Sequence, residues 1–288
     1  MVVQHNLTAM NSNRMLGLTQ SSLTKSTEKL SSGYRVNRAA DDAAGLAISE
    51  KMRRQIKGLT QASTNAQDGI SAVQTAEGAL NEVHDMLQRM NTLAVQAANG
   101  TNTSVDRTYI NSEVQALQSE INRVATTTTF NEQCLLNGSF TGKSLQVGAE
   151  DAASQRITIS IVAMSMSGLL NPSDTDKFET ASNTTTGRVS VTTATSAQHA
   201  ISDIKTAMKN LSTMRSDLGA IQNRLEHTIS NLDNIVENTT AAESQIRDTD
   251  MATEMVKYSN ANILQQAGQS MLAQANQSNQ GVLSLLQG

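Results

Sequence analysis

The chain has 288 residues, enough for one large domain or two smaller ones, yet aromatics make up only 2% of it, with no Trp and a single Pro. A thick globular centre draws much of its volume from aromatic rings; a core limited to Leu, Ile, Val, Met and Ala suits narrow seams between helices, and scarce Pro suits long unbroken ones. The net charge of -4 with scattered Lys and Arg disfavours a nucleic-acid partner, and the single cysteine, Cys134, excludes an intramolecular disulfide framework and a multi-cysteine metal site.

From Met1 to Thr24 the only formal side-chain charge is Arg14, and Ala9, Leu16, Leu23 and Leu30 recur every seven residues. This predicts a first helix over about Ala9 to Leu30, stopped at Gly33. Met1 to Leu18 lacks a basic leader and a continuous apolar stretch, so no cleavable signal peptide is expected. Tyr34 to Ala44 reads as a polar connector. Met52, Leu59, Ala66, Val73, Leu80, Leu87 and Ala94 then repeat by seven, beside a second stripe that starts with Ile56 and Ile70 and drifts to Ala76, Val83, Met90 and Ala97. Such drift marks a nearly straight helix. From Ala44 to Ala98 it would span roughly 80 Å, and Gly58, Gly69 and Gly78 within it demand support from packing, at about 1 kcal/mol each.

A turn at Gly100 leads to a helix with Ser104 as the expected N-cap, carrying Ile110, Val114, Leu117, Ile121 and Val124 on one stripe. Cys134 is expected to be a small buried residue beside Leu135 and Leu136. Between about Phe130 and Thr195 the periodicity changes: Asn137-Gly138 signals a turn, Arg156 to Ile161 alternates like a strand, and a Ser/Thr-rich run follows Pro172. Helix resumes near Ser196 with a seam of Ile201, Ile204, Met208, Leu211, Arg215, Leu218, Gln222, Leu225, Ile229, Leu232 and Val236. Thr240 with Glu243 has the spacing of a capping box that would open a further helix.

The last thirty residues, Ser259 to Gly288, contain no Asp, Glu, Lys or Arg. Leu264, Ala267, Met271, Ala275, Ser278, Val282 and Leu285 nevertheless keep helical spacing, the mark of a helix pressed along another. Amides interrupt the segment too often for a membrane span, which needs about 20 consecutive apolar residues. An uncharged, amide-rich helix is best satisfied when surrounded by protein. The fold expected is therefore mainly α, a long-helix coiled-coil bundle formed by both chain halves with a small β-containing central insert. As single molecules such ends cannot bury their stripes and should be mostly disordered, ordering only against further copies.

Candidate chemistry is sparse. His5, His84, His199 and His227 are dispersed without ligand spacing, and Asp41-Asp42 sits in a connector where capping outweighs acid–base work. No nucleophile elbow, P-loop or dinucleotide fingerprint occurs, so neither an enzyme, a cofactor nor a metal is expected. Met90 reads as core. Asn183-Thr184-Thr185 matches a glycosylation acceptor, a weak pattern.

Several segments resemble bacterial flagellins. They are Leu30-Ser-Ser-Gly-Tyr-Arg-Val-Asn37, Asp41-Asp-Ala-Ala-Gly-Leu-Ala-Ile-Ser49, Leu93-Ala-Val-Gln-Ala-Ala-Asn-Gly100, Phe130-Asn131, Leu218-Gly-Ala-Ile-Gln-Asn-Arg-Leu225, Ile263-Leu-Gln-Gln-Ala-Gly268 and Val282-Leu-Ser-Leu-Leu286. The resemblance implies a motility filament subunit outside the cell, with an inner polymerising coiled coil from residues 1–43 and 240–288. An outer helical domain would comprise 44–140 and 196–239, with a short variable insert at 141–195. Polymerisation would engage Leu16, Leu23, Leu30, Leu264, Met271, Val282 and Leu285. The resemblance further implies export through the flagellar secretion channel, an export chaperone, and filament cap and hook-junction proteins as partners. It also implies recognition by host Toll-like receptor 5 through positions matching Arg89, Leu93 and Glu113. The hook–filament junction protein, which shares both helical ends, is the near alternative. A cytoplasmic signalling or scaffold hairpin would need charged faces and a single tight tip instead.

Overall fold

The computed structural model of the chain describes residues 6–171 and 188–286, with side chains described as far as residue 277. Among these residues six α-helices dominate: α1 (Leu7–Ser32), α2 (Ala43–Ala98), α3 (Ser104–Thr127), α4 (Met166–Leu170), α5 (Ala194–Arg247) and α6 (Met251–Leu286). Between α3 and α5 lie two short antiparallel pairs, β1 (Thr129–Phe130) with β2 (Gln133–Cys134), and β3 (Lys143–Gln146) with β4 (Arg156–Ile159). The mainly α fold with a small β insert is thus present. The chain divides into two compact units, Met1–Ile56 with Glu237–Gly288, and Lys57–Val236.

In the unit Lys57–Val236 the predicted heptad of α2 is buried at Leu59, Ala66, Val73, Leu80, Leu87 and Ala94, and its second stripe at Ala76, Val83, Met90 and Ala97. Val114 and Ile121 of α3 and Ile204, Leu211 and Leu218 of α5 join the same core, closed by Leu135, Leu136, Ile159 and Leu169. Leu, Ile, Val, Met and Ala fill this core, as the shortage of aromatics requires. One half of the α5 seam differs from expectation. Ala200, Ala207 and Met214 are buried where Ile201, Met208 and Arg215 were expected, and those three are only half-buried. The first turns of α5 share a core with α2, α3 and α4 together, so their buried face is wider than a two-helix seam and takes in small residues.

The predicted strand forms as β4, paired with β3 in the register Lys143↔Ile159 to Gln146↔Arg156. Ile157 and Ile159 turn inward from it, and Ile161 stays buried beyond its end. The hairpin explains one glycine of α2. A Cβ on Gly69 would lie 2.2 Å from Leu145 Cδ1, so the missing side chain admits β3 against the helix. The β1–β2 turn places Asn131 and Glu132 at φ 47° and 62°, the left-handed pair that a two-residue hairpin needs.

Two helix starts fall elsewhere than predicted. Thr103, not Ser104, caps α3: its hydroxyl accepts from the Asp106 N–H while the Asp106 carboxylate accepts from the Thr103 N–H. No helix begins at Thr240, because α5 runs on to Arg247, and Glu243 instead approaches Arg53 at 3.8 Å. The segment Thr239-Thr240-Ala241-Ala242 holds neither Gly nor Pro, so nothing ends the helix there. The break comes at Asp248–Asp250, where the Asp250 carboxylate accepts from the Ala252 and Thr253 N–H groups and starts α6. Pro172, the Ser/Thr-rich run after it and Asn183 lie outside the described residues, as does His5.

Candidate assembly surface

Unit Met1–Ile56 with Glu237–Gly288 is built on an antiparallel pairing of α1 with α6. Asn6 caps α1 and its Nδ2 donates to the Ala275 carbonyl at 3.0 Å. Further along, Gln265 Nε2 donates to Gln20 Oε1 at 2.5 Å and the Ser26 hydroxyl donates to Glu254 Oε1 at 2.7 Å. The α1 face turned to α6 carries Ala9, Leu16, Leu23 and Leu30, all half-buried, with Ser26 fully buried. On α6 the inward face is Glu254, Ala261, Gln265, Gly268, Leu272 and Ala275. A Cβ on Gly268 would sit 3.2 Å from Leu16 Cδ1, so small residues let the helices approach closely.

The stripe expected to press on a neighbouring helix is therefore not the one that meets α1. Only Ala275 of it faces inward; Leu264 and Met271 are 60% and 62% exposed, and Ala267 is exposed too. The side chains of Ser278, Val282 and Leu285 lie outside the described residues. The same two helices carry other outward apolar groups that periodicity missed: Leu7, Met10, Met15 and Leu18 on α1, and Met251, Met255, Val256 and Ile263 on α6. Ten of the fifteen exposed large apolar side chains among the described residues thus belong to this helix pair. Single molecules rarely present so much apolar surface unless another protein covers it.

The connector after α1 is locked to the α5–α6 turn. Gly33 ends α1 in the left-handed conformation, φ 76°, and its carbonyl accepts from the Thr249 N–H at 2.9 Å. Tyr34 forms a bridge with Asp248. The Arg247 guanidinium lies 4.7 Å from the Tyr34 ring centre and 3.0 Å from Glu50, and also donates to Ser49 Oγ. The Arg35 N–H and guanidinium reach the carbonyls of Arg247 and Ile246. Asp41, placed in capping from sequence, accepts from the Asn37 and Arg38 N–H groups, which hold its carboxyl below the usual range. Asp42 accepts from the Gly45 N–H at the start of α2.

In the other unit, Arg89 and Glu113 meet across α2 and α3. Arg89 Nε and Nη2 donate to Glu113 Oε1 at 2.9 and 2.7 Å, with both side chains about half exposed. Leu93 is 3% exposed and belongs to the core beneath them. Cys134 is half-buried rather than buried, its Sγ 3.6 Å from the Thr126 carbonyl, while Leu135 and Leu136 beside it are buried. His84 approaches Gln88, and no group of three or more His, Cys, Asp or Glu converges among the described residues. No helix among them is long and apolar enough to cross a membrane.

Long helices paired along their length, with an apolar outer face, define a structural protein of the self-assembling helical class. Family models agree: the bacterial flagellin N-terminal helical region matches residues 3–141 and the C-terminal helical region matches residues 201–286. A flagellin of Halalkalibacterium halodurans is 52% identical over 99% of this chain and 100% of its own length. The flagellin of Bacillus subtilis is 46% identical at the same coverages. Among solved structures, a protein assigned as flagellar hook-associated, from Vibrio parahaemolyticus, shares the fold, with TM-score 0.57 and 13% identity over 72% of this chain and 100% of that one. The chain belongs to the bacterial flagellin family, whose members are subunits of the flagellar filament.

Proposed function

We propose that this flagellin polymerises through the α1–α6 pair, the outward apolar groups of which are covered by neighbouring copies. Residues 1–43 and 240–288 then form the inner domain of the filament; residues 44–140 and 196–239 form its outer helical domain, with 141–195 as a short surface insert. The observation that carries this reading is the concentration of exposed Leu, Met, Ile and Val on α1 and α6, in a segment that bears no charge after Ser259. Leu264 and Met271 contribute directly, and Leu16, Leu23 and Leu30 set the pair that presents them. Val282 and Leu285 extend the same stripe in sequence. Repeated head-to-tail contact that does not close into a ring yields an open helical filament. Deleting Gln265 to Gly288 should leave a soluble chain with a folded outer domain that cannot extend filament fragments. Filaments of that truncation under the electron microscope would reject the reading.

The family resemblance extends the proposal to delivery and growth. The subunit leaves the cell through the flagellar secretion channel. A chaperone covers the C-terminal helix beforehand, and cap and hook-junction proteins bound the polymer at its two ends. A filament flagellin is favoured over the hook–filament junction protein by the 52% identity to a flagellin across its entire length.

A second role is recognition by Toll-like receptor 5, supported by the Arg89–Glu113 pair on an open helical surface. Arg89 and Glu113 would make the contact, while Leu93 would support that surface from the core. Arg89→Ala should weaken receptor binding by about 1–3 kcal/mol, read by titration of the receptor ectodomain with the monomer. Unchanged affinity removes Arg89 from the site.

A further inference from the structure

We propose that the turn at Asn137-Gly138 is a site of self-modification, where the chain converts Asn137 to an aspartyl or isoaspartyl residue through a cyclic imide. Water and hydroxide are the only co-reactants, and the reaction does not depend on assembly. The ring closes when the Gly138 nitrogen attacks the side-chain amide of Asn137. That step needs a polarised side-chain carbonyl, an attacking N–H held by nothing else, and a peptide between the two residues that is able to rotate.

The turn supplies all of these. Asn137 Oδ1 accepts from the Ser139 N–H at 2.9 Å and from the Ser139 hydroxyl at 2.6 Å. The same hydroxyl has the Cys134 carbonyl as a longer alternative acceptor, at 3.4 Å. Both donors sit where negative charge develops on Oδ1 as the new bond forms. They also fold the carboxamide back over the Gly138 nitrogen, since an oxygen bonded two residues further on must pass it. Among the described residues the Gly138 N–H and the Asn137 Nδ2 find no acceptor, and the Asn137 main-chain carbonyl receives no donor. Gly138, at φ 87°, has no Cβ to hinder the approach. Asn137 and Ser139 are exposed, so water reaches them.

The atoms balance with water alone. Hydroxide takes the Gly138 amide proton and the nitrogen forms a bond to Asn137 Cγ. The Cγ–Nδ2 bond then breaks, and Nδ2 leaves as ammonia with a proton from water. Water opens the imide at either carbonyl, leaving a carboxylate at position 137 on a normal or a β-linked main chain. The turn is closely seated: a Cβ on Gly138 would lie 3.1 Å from Ala163 Cβ, and buried Leu136 accepts from the Met164 N–H at 2.8 Å. A β-link lengthens the main chain there by one methylene, so modification loosens the closure of the core by Leu135 and Leu136.

The chain carries one other Asn-Gly pair, Asn99-Gly100, which serves as an internal standard. Asn99 Oδ1 has a single long contact, the Thr101 N–H at 3.4 Å. Its main-chain carbonyl is held by the Asn102 N–H at 3.3 Å and the Arg107 guanidinium at 3.0 Å, which pins the peptide that has to turn.

The test is peptide mapping of the full chain aged at mildly alkaline pH, with enzymatic methylation of isoaspartate to count the β-linked product. Asn137 should convert about five times faster than Asn99 in the folded chain, and the two rates should converge in denaturant. Ser139→Ala, which removes an exposed hydroxyl, should slow Asn137 about fivefold and leave Asn99 unchanged. Asn137→Gln, whose ring would need one more atom, should stay unmodified. Ageing should lower the denaturant midpoint of the wild type more than that of Asn137→Gln. Asn137 converting no faster than Asn99 in the folded chain, or Ser139→Ala converting at the wild-type rate, overturns the site. Equal midpoint losses in the two aged chains overturn the loosening of the core.

Discussion

Glu254 is the charged residue most committed to the terminal helix pair, with its side chain 8% exposed between Ser26 and Lys257. Burial opposes its ionisation, but the Ser26 hydroxyl and the Lys257 ammonium, with Lys29 further away, outweigh burial and hold its pKa below the usual range. Asp250, bonded by the Thr253 hydroxyl and by the Thr253 and Ala252 N–H groups, shifts the same way. A carboxylate depressed in the folded state contributes stability that is complete above its unfolded value, about 4.3 for Glu, and is lost as pH falls through the lower folded value. Circular dichroism of assembled filaments should therefore show terminal helicity falling only in acid below that value, and Glu254→Gln should flatten the acid limb. An identical acid limb in the variant would remove Glu254 from the account. At Gly69 the argument is steric: Gly69→Val meets Leu145 and should lower the unfolding free energy of this unit by about 1–3 kcal/mol. A denaturant midpoint equal to wild type would show that Leu145 moves aside freely.

At the scale of elements, the continuity of α5 gives a sharp test. Were Thr240 an N-cap, proline at the next position would be tolerated, because the first helical residue needs no N–H. In an unbroken helix the same Ala241→Pro change removes a bond and clashes, at about 3 kcal/mol. A large loss is expected, and a neutral substitution would restore the helix start read from sequence. The contrast shows what periodicity can and cannot carry. Heptads fixed α2 almost residue by residue, since one long face packs against its partners throughout. The Thr240–Glu243 spacing misled because a capping pattern occurs by chance inside helices, and only a preceding breaker makes it a start. On α6 the pairing with the first helix was legible, but the face that makes it was not. Glycine, alanine and glutamine give α1 close approach and amide bonds, and hydropathy does not score either as a seam. The Ser26–Glu254 bond and the Arg247 lock join residues some two hundred positions apart, and spacing within one segment carries no signal of such pairs.

For the molecule as a whole, the proposed assembly surface is apolar and amide-rich rather than ionic, and this fixes its response to conditions. Burial of apolar groups weakens on cooling and strengthens in sulfate, whereas pairing of exposed charges fades with salt. The critical concentration for growth should rise as temperature falls toward 4 °C on the order of the hydrophobic term, and should change little between roughly 0.05 and 0.5 M sodium chloride. A steep rise with chloride would mean that ion pairs, not the outward faces of α1 and α6, hold the polymer.

The absence of Trp has a practical sequel. With no indole to drain or mask their emission, the three tyrosines are the chain's own lamps. Tyr34 is stacked under a guanidinium and Tyr258 is half-covered, whereas Tyr109 stands in water. Light from that last ring, open to iodide in the free chain, would report without a dye any partner that comes to cover it.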